Sequence, residues 1–253
     1  MSTLKDKVSI VTGGTSGIGR TTAIALTKAG SKVVIAGRRQ AEGEAVVKEI
    51  TQTGGEALFV QTDVSDEAQV ENLVAKTVEH FGRVDIAFNN AGVEGVMGPT
   101  HEQTVANFDH VFDINVKGVF LSMKHQIAQI LKQGSGGSII NTASIAGLIA
   151  LPGMNAYAAS KHAVLGLTKA AALEYAPANI RVNAVSPGVI VTDMYDRFTG
   201  GDAATQAQFA SMHPIGRAGE PREVSDTVIF LAGEGASFIT GQSITIDGGF
   251  TAQ

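Results

Sequence analysis

The sequence predicts an α/β fold with a doubly wound, mostly parallel sheet of seven strands. Short β-branched runs alternate with longer amphipathic segments along the chain, as strands and helices do in repeated βα units. The short runs are almost continuously apolar, which is typical of parallel strands that helices cover on both faces. No linker or repeat interrupts the alternation, so we predict a single domain over residues 1–253.

The expected elements follow one another in chain order. The segment 66–81 places Val70, Leu73 and Val74 on one face and predicts an amphipathic helix. The longest irregular stretch, about 188–220, comes before the last helix and strand. Because irregular segments of that length are usually functional, we expect a substrate-binding loop there. The seven predicted strands cover residues 7–13, 32–37, 56–63, 84–92, 138–144, 180–188 and 243–249.

Composition excludes several classes of function. The chain has no cysteine, which removes disulfides and thiol chemistry, and its six histidines never fall at metal-ligand spacing, so we expect no metal site. A net charge of −5 without a basic stripe argues against a nucleic-acid partner. The start lacks the apolar core of a signal peptide and no stretch reaches membrane-spanning length, so we expect a cytoplasmic protein without a membrane partner.

A glycine-rich turn follows the first predicted strand. The stretch TGGTSGIGR, residues 12–20, places Gly13, Gly17 and Gly19 where a helix begins, although glycine destabilises helices. Strand, glycines and helix form the first turn of a dinucleotide-binding unit, in which bare backbone and the helix N-terminus approach a pyrophosphate. The absence of Gly-Lys-Ser/Thr disfavours a nucleoside triphosphatase loop.

Tyr157 and Lys161 lie four residues apart in a segment rich in helix formers, so both side chains face the same way on a helix. A phenol is a poor base at neutral pH, but a nearby ammonium favours the phenolate and lowers its pKa. We therefore expect Tyr157 to exchange a proton with an alcohol or carbonyl oxygen.

Six motifs in register resemble those of the short-chain dehydrogenase/reductase family. Residues 12–19 match its T-G-x-x-x-G-x-G fingerprint, and YAASK at 157–161 matches its Tyr-x-x-x-Lys pair. The others are NNAG at 89–92, Asn115 in FDINVKGVF, Ser144 in NTASIAG, and NAVSPGVIVTDM at 183–194. The resemblance covers nearly the whole chain and implies a Rossmann fold, a nicotinamide cofactor and a homotetramer.

The resemblance also implies roles for four residues. Tyr157 would be the general acid/base, and Lys161 would lower its pKa and hold the nicotinamide ribose. Ser144 would hydrogen-bond the substrate carbonyl, and Asn115 would support a water-mediated proton path. The implied cofactor-binding residues are Gly13, Thr15, Ser16, Gly17, Ile18, Gly19, Arg38, Arg39, Asp63, Val64, Asn90, Ala91, Gly92, Tyr157, Lys161, Pro187, Gly188, Ile190 and Thr192.

The end of the second strand bears on the choice of cofactor. Gly37 stands where NAD-using members of the family usually carry aspartate, and Arg38 and Arg39 follow it. Cations are unfavourable at a helix start unless an anion is bound there, and guanidinium matches phosphate. We therefore favour NADP, while Ser16, where some NADP-dependent relatives are basic, leaves NAD as the alternative.

The substrate is expected to be an uncharged ketone or secondary alcohol, because the segments that border the nicotinamide are mostly apolar. Besides Ser144 and Tyr157, the candidate substrate contacts are Glu94, Met154, Met194, Tyr195 and Phe198. One alternative is a 3-oxoacyl-[acyl-carrier-protein] reductase, although basic residues such as Lys124 and Lys132 are sparse. An alternative of another class is a catalytically inactive nucleotide sensor, which would not need the reactive set.

Overall fold

The structure, a computed structural model, describes residues 4–252 and contains a seven-stranded sheet in which every neighbouring pair of strands is parallel. The strand order is β3-β2-β1-β4-β5-β6-β7, which confirms the predicted doubly wound sheet. The strands are β1 Val8–Thr12, β2 Lys32–Gly37, β3 Ala57–Gln61, β4 Ile86–Asn89, β5 Gly137–Thr142, β6 Ile180–Pro187 and β7 Ser243–Ile246.

Helices pack on both faces of the sheet. Leu26, Val46 and Val228, from α1, α2 and α9, belong to the apolar core on one face. Leu73, Ile127 and Val164, from α3, α5 and α6, belong to the core on the other. The helices are α1 Gly17–Lys28, α2 Gln40–Gln52, α3 Glu67–Phe81, α4 Val105–Phe112, α5 Gly118–Gln133, α6 Asn155–Tyr175, α7 Asp193–Thr199, α8 Ala203–Ser211 and α9 Pro221–Ala232.

The central strands are mostly apolar because both of their faces are covered. In β1, Ile10 points into one core and Val11 into the other, and both side chains are fully buried. Successive side chains of a strand point to opposite faces, so a strand buried on both sides has no polar alternation. Burial on both faces therefore explains the continuous apolar runs in the sequence.

Helix α3 agrees closely with the prediction for 66–81. The Asp66 carboxylate caps its start by accepting a hydrogen bond from the Gln69 backbone N–H at 3.2 Å. Gly82 ends it in the left-handed region, with φ of 82°, a conformation that glycine adopts without steric penalty. The buried stripe includes Val70, Leu73 and Val74, as the sequence predicts.

The 188–220 segment is not irregular throughout, which corrects the expectation of a loop. It contains α7 and α8, whose starts are capped by the side chains of Thr192 and Asp202. The base of the segment is closed by backbone hydrogen bonds, from Val191 N to Gly219 O and from Gly219 N to Val189 O, both 2.9 Å. The segment therefore consists of two short capped helices whose flanking strands of chain are held together by backbone hydrogen bonds.

The carboxyl ends of all seven strands lie at one edge of the sheet because the strands are parallel. The chain order reverses where β1 lies between β2 and β4. At such a point the two connections leave on opposite faces and open a crevice, which is where ligands bind in this type of sheet. Within residues 4–252, no helix has the length and apolar character needed to cross a membrane.

Candidate active site

A cleft of about 530 Å³ occupies the carboxyl edge of the sheet. Its walls come from the turns after β1, β2, β3, β4, β5 and β6 and from helices α6, α7 and α8. All of the predicted cofactor, catalytic and substrate residues line this cleft except Gly19 and Asn115, which lie behind its surface. Segments as far apart in the chain as Gly13 and Phe209 therefore meet at one site.

The turn between β1 and α1 can be built only with glycine at two positions. Gly17 has φ of 51°, which is unfavourable for residues with a Cβ atom. At Gly19 a Cβ atom would lie 2.2 Å from the Gly13 carbonyl oxygen. Gly19 lies behind the surface of the cleft, where the missing Cβ atom allows this close packing of helix against turn.

The start of α1 presents free backbone N–H groups to the cleft. Ser16 precedes the helix without a side-chain hydrogen bond to it, and the first turn has no acidic residue. Gly17 and Ile18 line the cleft at this point. An uncapped helix start carries partial positive charge and free donors, so this turn suits the phosphates of a dinucleotide.

The two arginines after β2 occupy different environments. Arg39 Nη2 donates hydrogen bonds to Thr15 Oγ1 at 3.2 Å and Ser16 Oγ at 2.9 Å, which places its guanidinium against the glycine-rich turn. Arg38 lies near Asp63; burial raises the pKa of that carboxyl, but hydrogen bonds from Ser65 and the Arg38 charge lower it overall. Both arginines line the cleft beside Gly37.

Ser144 and Tyr157 meet at the inner end of the cleft. Ser144 follows β5 and precedes a short 3₁₀ turn, where its Oγ accepts a hydrogen bond from Ala146 N at 3.1 Å. The Ser144 hydroxyl lies near that of Tyr157. Burial raises the pKa of Tyr157, the interaction with Ser144 opposes that change, and the negative charge of Glu94 adds to it.

The direction of that pKa change differs from the one expected from the sequence. Lys161 Nζ lies 5.5 Å from the centre of the Tyr157 ring and donates a 2.8 Å hydrogen bond to the Thr142 carbonyl oxygen. The ammonium thus does not offset the loss of water around the phenol. The raised pKa therefore favours the neutral phenol of Tyr157.

Lys161 is itself an unusual group, because its side chain is 3% exposed. Burial lowers its pKa to about 8. Among the residues that the structure describes, no carboxylate forms an ion pair with it. The Thr142 carbonyl oxygen is its hydrogen-bond partner.

Asn115 supports the site from behind. It lies in a π-helical turn, Asp113–Lys117, between α4 and α5, and is fully buried. Its side chain accepts from Val93 N at 2.8 Å and donates to Val93 O at 2.9 Å and Ser160 Oγ at 3.0 Å. Through these hydrogen bonds the Asn115 amide group connects the loop after β4 to helix α6.

The outer end of the cleft is mainly apolar and is covered by α7 and α8. Met154, Met194 and Phe198 line it, and the Phe198 ring lies 4.8 Å from that of Phe209. Tyr195 is 8% exposed, and its hydroxyl donates to the Gln206 carbonyl oxygen at 3.0 Å. Its polar tip therefore stabilises the cover rather than facing a ligand.

Glu94 forms a bidentate ion pair that the sequence did not predict. Arg197 Nε and Nη2, on α7, donate to the two carboxylate oxygens of Glu94 at 3.1 and 3.4 Å. The two residues are 103 positions apart in the chain, and no local pattern links them. The pair joins the helical cover to the loop after β4.

Two other contacts could not be predicted from the sequence. Thr12 Oγ1 accepts hydrogen bonds from the backbone N–H groups of Asn90 and Ala91 at 3.0 and 3.2 Å, which fixes the NNAG turn against β1. The Thr142 carbonyl that holds Lys161 is a backbone group, so side-chain patterns give no sign of it. Among residues 4–252, no cluster of three or more His, Asp or Glu side chains could hold a metal ion.

Comparisons with known proteins agree with this geometry. A family model described as "Enoyl-(Acyl carrier protein) reductase" matches residues 13–251. The chain is 44% identical over 252 residues to "2,5-dichloro-2,5-cyclohexadiene-1,4-diol dehydrogenase" of Sphingobium indicum, covering 100% of both chains. It is 41% identical to "Cyclohexanol dehydrogenase" of Acinetobacter sp., covering 98% of this chain and 96% of that one. The crystal structure of levodione reductase superposes with a TM-score of 0.95 at 40% identity, covering 98% of each chain.

The burial of Lys161 leads to a prediction about the free energy of unfolding. The pKa in the folded protein, about 8, lies below the ordinary value of 10.5, so below pH 8 folding must bury an ammonium against its preference. Lys161→Met should raise the free energy of unfolding at pH 7 by up to about 3 kcal/mol. The gain should shrink as the pH rises from 8 to 10.5, where the wild-type amine is neutral in the folded state.

Urea unfolding at several pH values measures this difference. Lys169→Met, on the exposed surface of the same helix, is the matched control and should change stability by less than about 0.5 kcal/mol at every pH. A stability gain for Lys161→Met that does not depend on pH would contradict the lowered pKa.

Proposed function

The chain belongs to the short-chain dehydrogenase/reductase family, and we propose that it interconverts a cyclic secondary alcohol and its ketone. It is an oxidoreductase that acts on CH–OH groups, in a family that uses a nicotinamide cofactor. The observation that carries the proposal is the meeting of Ser144, Tyr157 and Lys161 at the inner end of an apolar cleft.

The residues of the cleft fit a dinucleotide along its length. The free N–H groups at Gly17 and Ile18 would hold the phosphates, and Asp63 and Val64 would border the adenine. Asn90, Ala91 and Gly92 would lie beside the adenosine half. At Gly92 a Cβ atom would lie 3.2 Å from Asn115 Oδ1 and 3.5 Å from Lys161 Nζ, so a larger residue would fill the space next to the lysine.

Tyr157 is the proposed proton donor and acceptor. The nicotinamide, when bound, supplies or accepts the hydride. In ketone reduction the Tyr157 hydroxyl gives its proton to the substrate oxygen, and in alcohol oxidation the phenolate accepts it. The raised pKa of Tyr157 keeps the proton on the phenol before reduction, which supports the role of donor.

Ser144 and Lys161 would assist the proton transfer at different oxygen atoms. The Ser144 hydroxyl, which lies near that of Tyr157, would donate to the substrate oxygen as negative charge develops there. The Lys161 ammonium would stabilise the phenolate left by proton transfer and donate to the cofactor ribose. Asn115 is a positioning residue, because its amide is used by Val93 and Ser160.

The proposed substrate class follows from the outer cleft and from the relatives. Two relatives are named for six-membered carbocyclic alcohols, a cyclohexadiene diol and cyclohexanol. Apolar and aromatic side chains such as Met154, Phe198 and Phe209 suit a compact hydrocarbon ring. The Glu94 carboxylate, paired with Arg197, is the polar exception near the ring.

Acyl-carrier-protein thioesters are the second candidate substrates, because the matched family model carries that name. An acidic carrier protein needs a basic surface. Lys124, one of the few candidates, is bound to the Glu67 carboxylate at 2.5 Å, and the net charge of the chain is −5. These charges favour small ring substrates. Activity with any alcohol or ketone would exclude the inactive nucleotide sensor.

A homotetramer is also part of the proposal. Apolar side chains are exposed on α4, α5 and α6, at Phe108, Phe120 and Leu173, the last of which is 81% exposed. Large exposed apolar side chains on several helices are typical of surfaces that another subunit covers. Sedimentation at micromolar concentration distinguishes the tetramer from the monomer.

We propose NADP as the preferred cofactor. Arg39 already contacts the glycine-rich turn and Arg38 lies at the same end of the cleft, where a 2′-phosphate would meet both guanidinium groups. NAD remains the alternative. An aspartate at position 37 would not test this cleanly, because its Cβ atom would lie 2.8 Å from Thr15 Cγ2.

Removing the Tyr157 hydroxyl should abolish most of the reaction. We expect Tyr157→Phe to lower turnover of cyclohexanone at least roughly a hundredfold, since general acid catalysis is lost, while reduced-nicotinamide binding stays intact. Fluorescence of the bound nicotinamide measures that binding without interference, because the chain has no tryptophan. Tyr175→Phe, in the same helix, is the matched control. Turnover close to wild type in Tyr157→Phe would remove this residue from its role.

Removing the arginines should weaken the binding of one cofactor much more than that of the other. Charge-assisted hydrogen bonds contribute about 1.5–3 kcal/mol, so Arg39→Ala and the double variant with Arg38→Ala should weaken NADPH binding roughly ten- to a hundredfold and NADH hardly. Lys48→Ala, a change of one exposed cation on α2, controls for net charge. Equal wild-type affinity for both cofactors, or equal losses in the double variant, would contradict the preference for NADP and leave NAD as the alternative.

A further inference from the structure

We propose that His213 is a positioning residue that fixes one wall of the substrate cleft to the turn after β6. This inference rests on the proposed function for its effect on substrate binding, although the fastening itself is a property of the folded chain. His213 lies just after α8 and is 2% exposed. It belongs to none of the predicted catalytic, cofactor or substrate residues.

Both ring nitrogens of His213 are used by backbone groups. Nε2 accepts a hydrogen bond from Val189 N at 3.2 Å, and Nδ1 lies 2.9 Å from the Phe209 carbonyl oxygen. An N–H can only donate and a carbonyl oxygen can only accept, so the proton must be on Nδ1. The neutral ring in this one tautomer therefore bridges Phe209 and Val189. Of its two bonds, the one to Val189 crosses from the cover to the turn after β6, because Phe209 lies four residues before His213 in the same segment.

The two residues that His213 joins face the cleft from different sides. Phe209 packs against Phe198 in the helical cover, with ring centres 4.8 Å apart, and lines the cleft. Val189 lies in the turn after β6 and also lines it. The bridge thus sets the spacing between the cover and the turn that borders the proposed nicotinamide position.

The surroundings of the ring leave it little freedom. At Gly188 a Cβ atom would lie 2.9 Å from His213 Nε2, so the strand end approaches the ring as closely as a glycine permits. The Phe250 ring packs against the other side, with ring centres 5.2 Å apart. Val189 has its carbonyl bonded to Gly219 N at 2.9 Å, so its N–H is the group that depends on His213.

Two substitutions of His213 each keep one of its two hydrogen bonds and remove the other. His213→Asn places an amide near the Nδ1 position and keeps the bond to the Phe209 carbonyl, but it is too short to reach Val189. His213→Gln places an oxygen near the Nε2 position and keeps the bond from Val189 N, but loses the bond to Phe209. Ser211→Ala removes a hydrogen bond within α8, from Ser211 Oγ to the Gln208 carbonyl, and is the matched control.

The expected results distinguish the loss of the hydrogen bond to Val189 from a general disturbance of the fold. His213→Asn should raise the KM for cyclohexanone about two- to tenfold, the range for one hydrogen bond of ordinary strength, with kcat within about twofold of wild type. His213→Gln should keep a KM close to wild type, as should Ser211→Ala. Amide hydrogen exchange in residues 203–212, measured without cofactor, should accelerate by a similar factor in His213→Asn alone.

Other patterns overturn the proposal. Equal KM and exchange in His213→Asn and His213→Gln, whether both normal or both impaired, would show that the bond to Val189 does not fasten the cover. A larger effect of His213→Gln would do the same. If the wild-type protein turns over no alcohol or ketone, the proposed function fails, and the exchange measurement still decides whether His213 holds the cover.

Discussion

The pairing of β1 with both β2 and β4 is the constraint on which the rest of the site depends. Because β1 stands between them in a parallel sheet, the glycine-rich turn, the arginines after β2 and the NNAG turn meet at one edge. The Thr12 hydroxyl joins two of these turns by accepting from Asn90 N and Ala91 N. A crevice at this point is a consequence of strand order, and its chemistry comes from the residues placed there.

At the reactive end of the crevice, two polar side chains lower the stability of the fold but are placed where they can take part in a reaction. Lys161 is buried with a carbonyl oxygen as its partner, and Tyr157 is half-buried, with enough water lost around its hydroxyl for its pKa to rise. The Lys161 ammonium would be more stable with water or a carboxylate nearby, and the Tyr157 phenolate with water nearby. A carboxylate beside Lys161 would hold the ammonium away from the phenol, so its absence leaves the charge free to act on Tyr157 and on a bound ligand.

Much of this molecule could be predicted from local sequence patterns. The seven strands, α3 and the turn at Gly17 and Gly19 depend on apolar periodicity and on backbone geometry, both of which neighbouring residues reveal. The helices α7 and α8 were missed although Thr192 and Asp202 are good caps. The ion pair of Glu94 with Arg197 joins positions 103 residues apart, and the pKa direction of Tyr157 depends on burial, which a spacing of four residues does not report.

The most direct test is the absorbance of reduced nicotinamide after the purified protein is mixed with cyclohexanol and NADP⁺. Parallel reactions contain NAD⁺ in place of NADP⁺, or 2-hexanol in place of cyclohexanol. We predict a steady rise in absorbance with cyclohexanol and NADP⁺, with slower rises for NAD⁺ and for the open-chain alcohol. No rise with either cofactor across a panel of cyclic and open-chain secondary alcohols, and no loss of absorbance with the matching ketones, would contradict a dehydrogenase site at this edge of the sheet.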